Sequence, residues 1–561
     1  MKALSFDEDI CRYYPYGALL SQVLGLTTVD SEGQSGLESR YEDVLRGTEG
    51  SYLRQVDARN RQLNGTEGWY IPSQQGCGLV LTIDAEIQEM VEKTMRECIE
   101  VNQAQSVICL VSDVKTGAIL AMCMNPCYDP NDPPRNDAET LTELMRLTAI
   151  SDVYEPGSTF KILTAASALD SGVTTPQDSF YCSAKITVDG DTIRCWGRPH
   201  GAETMADGLK NSCNPVFVEL ALRMGTDTFY RYLTAFGLGK KTGIDLPGES
   251  PGILITSRNV KRVDLARIGF GQSVALTPIQ MMMAANSVIN GGKLMKPYIV
   301  SEIQTPDGET LERFHPTVMA APIRPETSDT MRLLLERVVS EGGGKNAAIA
   351  GYRIGGKTGT AQVYKNGRVV RDTHIGSFYG FAPVNDPQVS ILVIVKEADV
   401  PIDYGGTTAA PFARQIMQEM LPYLGIDPEN DEKDEEIEVP ALKGLTIGDA
   451  KRKLSQVGLE SVTDGANTVV LDQLPPAGAK LVKGGHVMLY TAGSEEMTPE
   501  ELVCVPDLTG LGDVDCARLV RQRGLMMSMT GQGLCTEQSP AAGEYVQPGT
   551  TIFLLMAGDD E

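Results

Sequence analysis

The chain has 561 residues, of which 42% are hydrophobic and 6% aromatic, a composition that supports several folded domains. Its 74 acidic and 49 basic residues give a formal charge of −25, which argues against nucleic acid as a partner and against simple electrostatic docking on anionic lipid. The twelve cysteines form no Cys-x-x-Cys pair and there are only four histidines, so the sequence predicts no metal site and no cofactor.

Residues 1–76 are predicted to form an irregular, mostly β accessory region, because glycines and prolines interrupt its short apolar stretches. The chain begins on acidic residues rather than on the apolar core of a signal peptide. No stretch reaches the roughly 18 apolar residues that span a bilayer. We therefore expect no membrane anchor within this sequence.

Residues 77–425 alternate between strand-like and helix-like segments. The predicted helices cover 159–169 and 215–224, and the predicted strands cover 106–114, 118–122, 376–381 and 389–395. This pattern predicts a mixed sheet with helices packed on it, within a multidomain α+β protein.

Cys182 and Cys195 flank a hairpin-like stretch whose turn is Asp189-Gly190. A local disulfide between them and a pair of free buried thiols are equally good interpretations of this pattern.

Ser158 and Lys161 follow a Glu-Pro-Gly turn and begin a predicted helix, where residues three apart share one face. A serine nucleophile needs such a nearby base, and unpaired N–H groups at a helix start favour a developing oxyanion. Ser112 and Lys115 have the same spacing, but they lie in a strand-like run that points them to opposite faces. The first pair is therefore the better candidate, although an ordinary helix start explains the spacing equally well.

Ser212-Cys213-Asn214 places a hydroxyl and an amide just before Pro215, a favoured first residue of a helix. The hydroxyl can relay a proton and the amide can hold a substrate carbonyl. Ser257-Arg258-Asn259 offers the same spacing in what looks like a solvated loop, and a plain helix cap remains an alternative for Asn214.

Lys357-Thr358-Gly359-Thr360 lies in a predicted strand, where Gly359 would let a substrate backbone approach while Lys357 and Thr358 hold a carboxylate. The Lys-Thr-Gly string also occurs at 115–117 and 241–243. The first copy fits a hairpin turn and the second a glycine-rich loop, so both are predicted to be structural.

The last quarter of the chain contains an internal repeat, in which Val439-Pro440 and Gly458-Leu459 recur as Val505-Pro506 and Gly524-Leu525. Each copy reads as a small α/β module with one helix, at 447–457 and 514–523. We place the two modules at 437–492 and 503–558, behind an acidic linker at 426–436.

Three segments, taken in chain order, resemble the motifs of penicillin-binding proteins and serine β-lactamases. They are Ser158-Thr159-Phe160-Lys161, Ser212-Cys213-Asn214 and Lys357-Thr358-Gly359-Thr360. Flanking segments such as Tyr154-Glu155-Pro156-Gly157 and Gly269-Phe270-Gly271-Gln272 resemble class B penicillin-binding transpeptidases. The Arg12-Tyr13-Tyr14-Pro15-Tyr16-Gly17 region is similar to the pedestal of that class, and the two repeats resemble PASTA modules. The whole combination resembles division or stage V sporulation transpeptidases of Gram-positive bacteria.

This resemblance implies a partial, β-rich pedestal or dimerisation domain at 1–76, a serine β-lactamase-like transpeptidase domain at 77–425, and two PASTA repeats. It also implies an extracytoplasmic parent protein whose membrane anchor is absent from this chain, and a separate membrane glycan polymerase as a partner. The substrates implied are peptidoglycan stem peptides ending in D-Ala-D-Ala, with β-lactams as inhibitors.

Carried over by residue, the resemblance makes Ser158 the nucleophile, Lys161 its base, Ser212 a proton relay and Asn214 a substrate-orienting group. Substrate would lie against 357–360, with the oxyanion on the N–H groups of Ser158 and Thr360. A D,D-carboxypeptidase or β-lactamase, or a non-catalytic wall scaffold that binds β-lactam or muropeptide, stays open as an alternative. The repeats would either bind such ligands or act as spacers, and both division and spore-cortex roles fit.

Overall fold

The computed structural model describes residues 11–48, 50–53, 69–197, 199–365, 368–428, 436–463, 469–482, 485–491, 503–531, 533–542, 545–546 and 550–557. The chain folds into two compact units. The first contains the described residues up to Leu442 together with 448–463 and 473–490; the second contains 443–447, 469–472 and the described residues from Thr491 onwards. Among the described residues, no helix combines the length and apolar character needed to cross a membrane.

A five-stranded antiparallel sheet is the centre of the first unit. In spatial order its strands are Gly355–Lys365, Arg368–Ala382, Val389–Lys396, Ser106–Asp113 and Ile119–Asn125. Because alternate side chains of a strand point to opposite faces, the sheet contributes side chains to two separate hydrophobic cores. Tyr379 and Leu392 belong to one core, while Phe378 and Ile391 belong to the other.

Helices cover both faces of this central sheet, as the alternation of its strands requires. Helix Lys161–Asp170 packs in the first core, with Phe160 and Ile162 fully buried beside the sheet residue Tyr379. Helices Ala85–Val101 and Ala410–Tyr423 pack in the second core. The other long helices are Asn214–Ala235, Pro278–Ile289 and Pro325–Ser340. The sheet with helices packed on it that the sequence predicts for 77–425 is confirmed, although every strand pair of the central sheet is antiparallel, so this sheet is not mixed.

Shorter elements complete this part of the first unit. The helices and 3-10 turns are Ala138–Leu144, Thr148–Ser151, Gly157–Phe160, Met205–Lys210, Arg262–Ile268, Lys345–Ala347 and Gly405–Thr408. The strands are Gly78–Leu81, Ser179–Cys182, Lys185–Val188, Asp191–Arg194, Gly201–Thr204, Ile253–Leu254, Val274–Ala275, Leu294–Met295, Val300–Gln304, Thr310–Arg313 and Val318–Ala320.

The described part of 11–76 contains more helix than the sequence predicts. Helices Ser21–Leu24, Gly36–Arg40 and Glu42–Leu45 accompany one antiparallel strand pair, Ser51–Leu53 with Trp69–Ile71. Close backbone packing explains the glycines, since a Cβ at Gly25 would lie 1.9 Å from the Ser35 carbonyl oxygen. Glycines that the sequence analysis took as a sign of β structure therefore lie where the backbone packs closely between short helices.

The two repeats share one internal design. The first contains Glu436–Glu438, Ile447–Gln456, Glu460–Thr463, Val470–Leu474, Lys480–Val482 and His486–Thr491; the second contains Val503–Cys504, Asp513–Gln522, Met526–Gly531, Leu534–Ser539, Tyr545–Val546 and Thr551–Ala557. Gln473 accepts a hydrogen bond from the Leu442 amide at 2.7 Å, and Gln538 accepts one from Leu508 at 2.7 Å. The repeated α/β module is confirmed, while 429–435 of the predicted acidic linker lie outside the described residues.

Candidate active site

Ser158 lies in a tight turn that presses against the edge strand of the central sheet. The 3-10 turn Gly157–Phe160 precedes the helix that begins at Lys161, where the sequence predicted a helix from 159. Gly157 has a φ of 54°, and a Cβ there would lie 2.6 Å from the Thr360 carbonyl oxygen. Only glycine allows this approach. The turn thereby packs Gly157, the residue before Ser158, against the backbone of Thr360.

Lys161 is fully buried and its amine contacts the second motif. Nζ donates to the Ser212 carbonyl at 2.6 Å, to the Ser212 hydroxyl at 3.2 Å and to Oδ1 of Asn214 at 2.7 Å. Burial lowers the pKa of Lys161 to about 7. A neutral amine is therefore available near neutral pH to accept a proton.

Lys357 places a second buried amine at the same hydroxyl. Its Nζ donates to Ser212 Oγ at 3.0 Å and to the Thr358 carbonyl at 3.2 Å. Burial, and then the positive charge of Lys161, hold the pKa of Lys357 well below its usual range. Ser212 lies between the two amines with a φ of 55°, a left-handed conformation that a non-glycine residue adopts only where its surroundings enforce it.

The strand that carries Lys357 presents alternate residues to the cavity. Thr358 and Thr360 both line it, whereas Lys357 is buried beneath. Gly359 is required for a reason that the sequence did not reveal: a Cβ there would lie 2.4 Å from Ser377 Oγ and 2.9 Å from Thr159 Cγ2. The glycine makes room for the nucleophile turn. The side chains of this motif that line the cavity are therefore the two threonines, and Lys357 lies behind them.

A cavity of about 900 Å³ joins these groups and contains residues that the motif search missed. His374 lines the cavity, and Asp403 lies next to it, with a carboxylate oxygen 2.8 Å from Nδ1 of the imidazole. His374 pairs with Gln362 across the sheet, two residues beyond Thr360. Two features of the sequence could have indicated His374. It lies in the strand after the Lys-Thr-Gly strand, and it is one of only four histidines in the chain.

The competing candidates lie elsewhere. Ser112 is buried in the central sheet, and the Lys115 amine is paired with Asp386 at 2.7 Å. Thr242 of the second Lys-Thr-Gly copy donates to Glu249 at 2.6 Å, within a loop. Ser257-Arg258-Asn259 forms an exposed turn. The structure thus brings together one of the candidate sets and separates the others from it.

Four side chains converge behind the Ser212–Asn214 segment. They are Cys182, Cys195, His200 and Cys213, and one ligand atom from each lies within 4.8 Å of all the others. The three cysteines are free thiols, as one of the two sequence interpretations of Cys182 and Cys195 holds. A hydrogen bond from the Cys213 thiol lowers the pKa of Cys195 to about 5. Three sulfurs and one imidazole are atom types that can bind a metal, and the sequence analysis did not identify this grouping.

Comparison with known proteins gives three family matches. A model described as the penicillin binding protein transpeptidase domain matches residues 107–418. A penicillin-binding protein dimerisation domain matches 1–81, and PASTA domains match 437–493 and 503–558.

Individual relatives agree with these matches. Stage V sporulation protein D of Bacillus subtilis is 38% identical over 88% of this chain and 78% of its own length. The peptidoglycan D,D-transpeptidase FtsI of Escherichia coli is 30% identical over 76% of this chain and 70% of its own. The crystal structure of penicillin binding protein 3 from Mycobacterium tuberculosis, complexed with aztreonam, has 28% identity and a TM-score of 0.66, covering 74% of this chain and 91% of that one. The chain belongs to the penicillin-binding protein transpeptidase family.

Proposed function

We propose that this chain is a peptidoglycan D,D-transpeptidase that cross-links stem peptides through an acyl-enzyme on Ser158. The observation that carries the proposal is the buried amine of Lys161, three residues after the serine and hydrogen-bonded to Ser212 and Asn214. A serine needs a base that is neutral at working pH, and a buried lysine supplies one.

Acylation would proceed by attack of Ser158 Oγ on the carbonyl of the penultimate D-alanine. The C–O bond forms as Lys161 takes the hydroxyl proton, and the negative charge on the carbonyl oxygen is held by the N–H groups of Ser158 and Thr360. The amide C–N bond then breaks. The Ser212 hydroxyl, which contacts both Lys161 and Lys357, relays a proton to the departing amine of the terminal D-alanine.

The second half of the reaction transfers the acyl group. An amine of a neighbouring stem peptide attacks the carbonyl of the Ser158 ester and loses a proton to Lys161. The bond between the acyl carbon and Ser158 Oγ then breaks, Lys161 returns the proton to Oγ, and the new amide bond remains. Water in place of the amine would give the carboxypeptidase product. A β-lactam would acylate Ser158 by opening its ring, and because the leaving amine remains tethered, the adduct would persist.

Substrate orientation is assigned to the groups that line the cavity. Asn214 would hold a stem-peptide amide, and the hydroxyls of Thr358 and Thr360 would hold the terminal carboxylate, with Lys357 behind them. Gly359 would let the strand pair with the substrate backbone.

The placement of this activity follows from its substrate. Peptidoglycan lies outside the cytoplasm, and we propose that the protein acts at the extracytoplasmic face of the cell membrane beside a separate glycan polymerase, in septum or spore-cortex synthesis. We propose the domain division 1–76, 77–425, 437–492 and 503–558, with 426–436 as the linker. The repeats are assigned as spacers, since both contain the same internal glutamine bridge and the second has an apolar core of its own.

Labelling with a fluorescent penicillin, followed by intact-mass analysis, tests the proposal. One stable adduct is expected on wild type and on Ser112→Ala, and none on Ser158→Ala, with circular dichroism confirming that all three are folded. A rapidly hydrolysed adduct would favour a β-lactamase. No adduct on folded wild type would favour a non-catalytic scaffold.

A further inference from the structure

We propose that His374, held by Asp403, removes the first proton from the acceptor amine and so directs the Ser158 ester towards transfer rather than hydrolysis. This inference rests on the proposed function and concerns only the second half of the reaction. A lysine-type amine, with an ordinary pKa of roughly 10.4, arrives as an ammonium ion whose nitrogen has no lone pair. It must therefore lose one proton before it attacks and a second one as the amide forms. Water is neutral and attacks without the first of these steps.

Lys161 handles only one of these two protons. It takes the proton that the nitrogen loses during attack and returns it to Ser158 Oγ when the ester bond breaks, so its own charge is the same before and after transfer. The proton lost before attack is a net product of the reaction and has to reach solvent. Lys161 and Lys357 are both fully buried and have no direct contact with water. A second base with access to solvent is therefore needed.

The imidazole of His374 has the surroundings of such a base. Its Nδ1 lies 2.8 and 2.9 Å from the two carboxylate oxygens of Asp403, and the same carboxylate accepts from the His374 backbone amide at 2.7 Å. Because an ionised carboxylate only accepts, the ring hydrogen lies on Nδ1, and Nε2 is the nitrogen that can take a proton. The Asp403 side chain is only 9% exposed, so its charge stabilises the imidazolium that results. Asp403 is thus a positioning residue.

The position of His374 suits the incoming amine rather than the serine. His374 pairs with Gln362, which lies two residues beyond Thr360 on the same face of its strand, and all three line the cavity that contains Ser158. Two residues of a strand span about 7 Å, so the imidazole lies at the approach to the ester. The ring of Tyr404 packs edge-on against it, with centroids 5.9 Å apart. The His374 side chain is 30% exposed and can release its proton to water.

The other histidines of the cavity lack this arrangement. Nδ1 of His200 lies 3.7 Å from Glu203, beyond hydrogen-bond distance, and Nδ1 of His486 lies 3.5 Å from Glu460, whose side chain is 56% exposed. Among the residues that the structure describes, His374 is the cavity histidine with a buried carboxylate at hydrogen-bond distance. The carboxylate distinguishes a base for the acceptor from a histidine that merely lines the wall.

Partition of the acyl-enzyme between amine and water tests the inference. The full chain is acylated by a small thioester donor in the presence of a synthetic stem peptide that carries a free side-chain amine, and mass spectrometry counts the transfer and hydrolysis products. In His374→Gln the ratio of transfer to hydrolysis should fall at least tenfold, because general-base assistance is worth 10² to 10⁴. Asp403→Asn should give a smaller loss in the same direction. His315→Gln, at an exposed position, should match wild type.

The basicity of the acceptor separates proton removal from a structural role. Hydroxylamine is already neutral at neutral pH, so its transfer should be the same in His374→Gln as in wild type, while transfer to the stem peptide is lost. Equal loss with both acceptors would make His374 a structural residue, and loss with neither would remove it from the reaction; either result overturns the inference. Asp403→Asn carries the same contrast between acceptors and serves where His374→Gln does not fold. Penicillin labelling of Ser158 in the same preparations reports the proposed function separately, so the two can fail independently.

Discussion

The Ser212–Asn214 segment has two sides that differ in how they are built. On the lysine side, Lys161 and Lys357 reach the Ser212 hydroxyl at 3.2 and 3.0 Å. On the cysteine side, Cys213 joins three further sulfur and nitrogen donors behind the same backbone. The lysine side is made of three short motifs with fixed local spacing. The cysteine side is assembled from a strand end, a hairpin end and a loop that only the fold brings together.

This difference separates chemistry from support. The lysine amines are buried beside a cavity lined by Ser158 and Ser212, and both contact the Ser212 hydroxyl, so they can act on a bound molecule through it. The cysteine sulfurs lie behind the motif, where they can act on a substrate only through the position of Ser212. Perturbing the two sides should therefore give different signatures, the first in rate and the second in stability as well.

The largest effect is expected from Lys161→Met, which removes the base and keeps the volume of the side chain. Acylation by penicillin should slow about 1,000-fold, because general-base assistance is worth 10² to 10⁴. Stopped-flow labelling measures the rate, and Lys115→Met, on the unused Ser-x-x-Lys pair, is the matched control. A loss below tenfold in folded protein would remove Lys161 from the role of base.

The pH dependence of the acylation rate should report the ionisation of Lys161. Because the active form of Lys161 is the neutral amine and burial lowers its pKa to about 7, the rate should rise about tenfold per pH unit below 7 and level off above it. The Lys161 amine has four titratable neighbours, which are Lys357, Glu203, Cys195 and Cys213. The midpoint of the profile therefore reflects Lys161 together with these neighbours. The His374→Gln variant should keep the midpoint, which separates the lysine from the imidazole in the cavity. A flat profile between pH 5 and about 8.5 would contradict the assignment.

Gly359→Ala tests the packing of the nucleophile turn. The added Cβ would meet Ser377 Oγ at 2.4 Å and Thr159 Cγ2 at 2.9 Å, so unfolding free energy should fall by about 1–3 kcal/mol. Acylation should slow as the turn is displaced. Gly343→Ala, whose Cβ meets nothing closer than Thr358 Oγ1 at 3.7 Å, should change neither quantity measurably. Denaturant titration decides the outcome, and equal stability of the two variants would refute the argument.

Glu203→Gln gives the smallest expected effect and sharpens the contrast between the two sides. The carboxylate raises the pKa of Lys161 against the larger effect of burial, so the amide should shift the acylation midpoint to lower pH by roughly a few tenths of a unit. A midpoint that moves upward would show that the charge of Glu203 does not reach the amine.

Most of the fold and the lysine side were predictable from local sequence. The helix predicted at 514–523 is Asp513–Gln522, and the strand predicted at 389–395 is Val389–Lys396, because periodicity and turn residues are local signals. The arrangement of Ser158, Lys161 and Ser212 was accessible because each belongs to a motif with short spacing and recognisable context.

The cysteine side and the helices within the described part of 11–76 were not predictable in this way. No two of Cys182, Cys195 and Cys213 have the short spacing of a zinc knuckle, and their approach depends on pairing of strand Ser179–Cys182 with Gly201–Thr204. The packing requirement at Gly359 was also not predictable, since only the structure shows Ser377 and Thr159 beside it. Long-range packing, rather than propensity, determines all three features.

The contact between the nucleophile turn and its neighbouring strand also limits which amino-acid substitutions the protein can tolerate there. At Gly157 and Gly359 backbone meets backbone or the base of a side chain, and any larger residue would collide with Thr360 or Thr159. Substitutions that weaken antibiotic acylation while preserving wall synthesis therefore have no room along this contact. Selection for resistance would have to act at the exposed rim of the cavity, at positions such as Trp196, Gln362 and Tyr404, where side chains can vary without moving the serine.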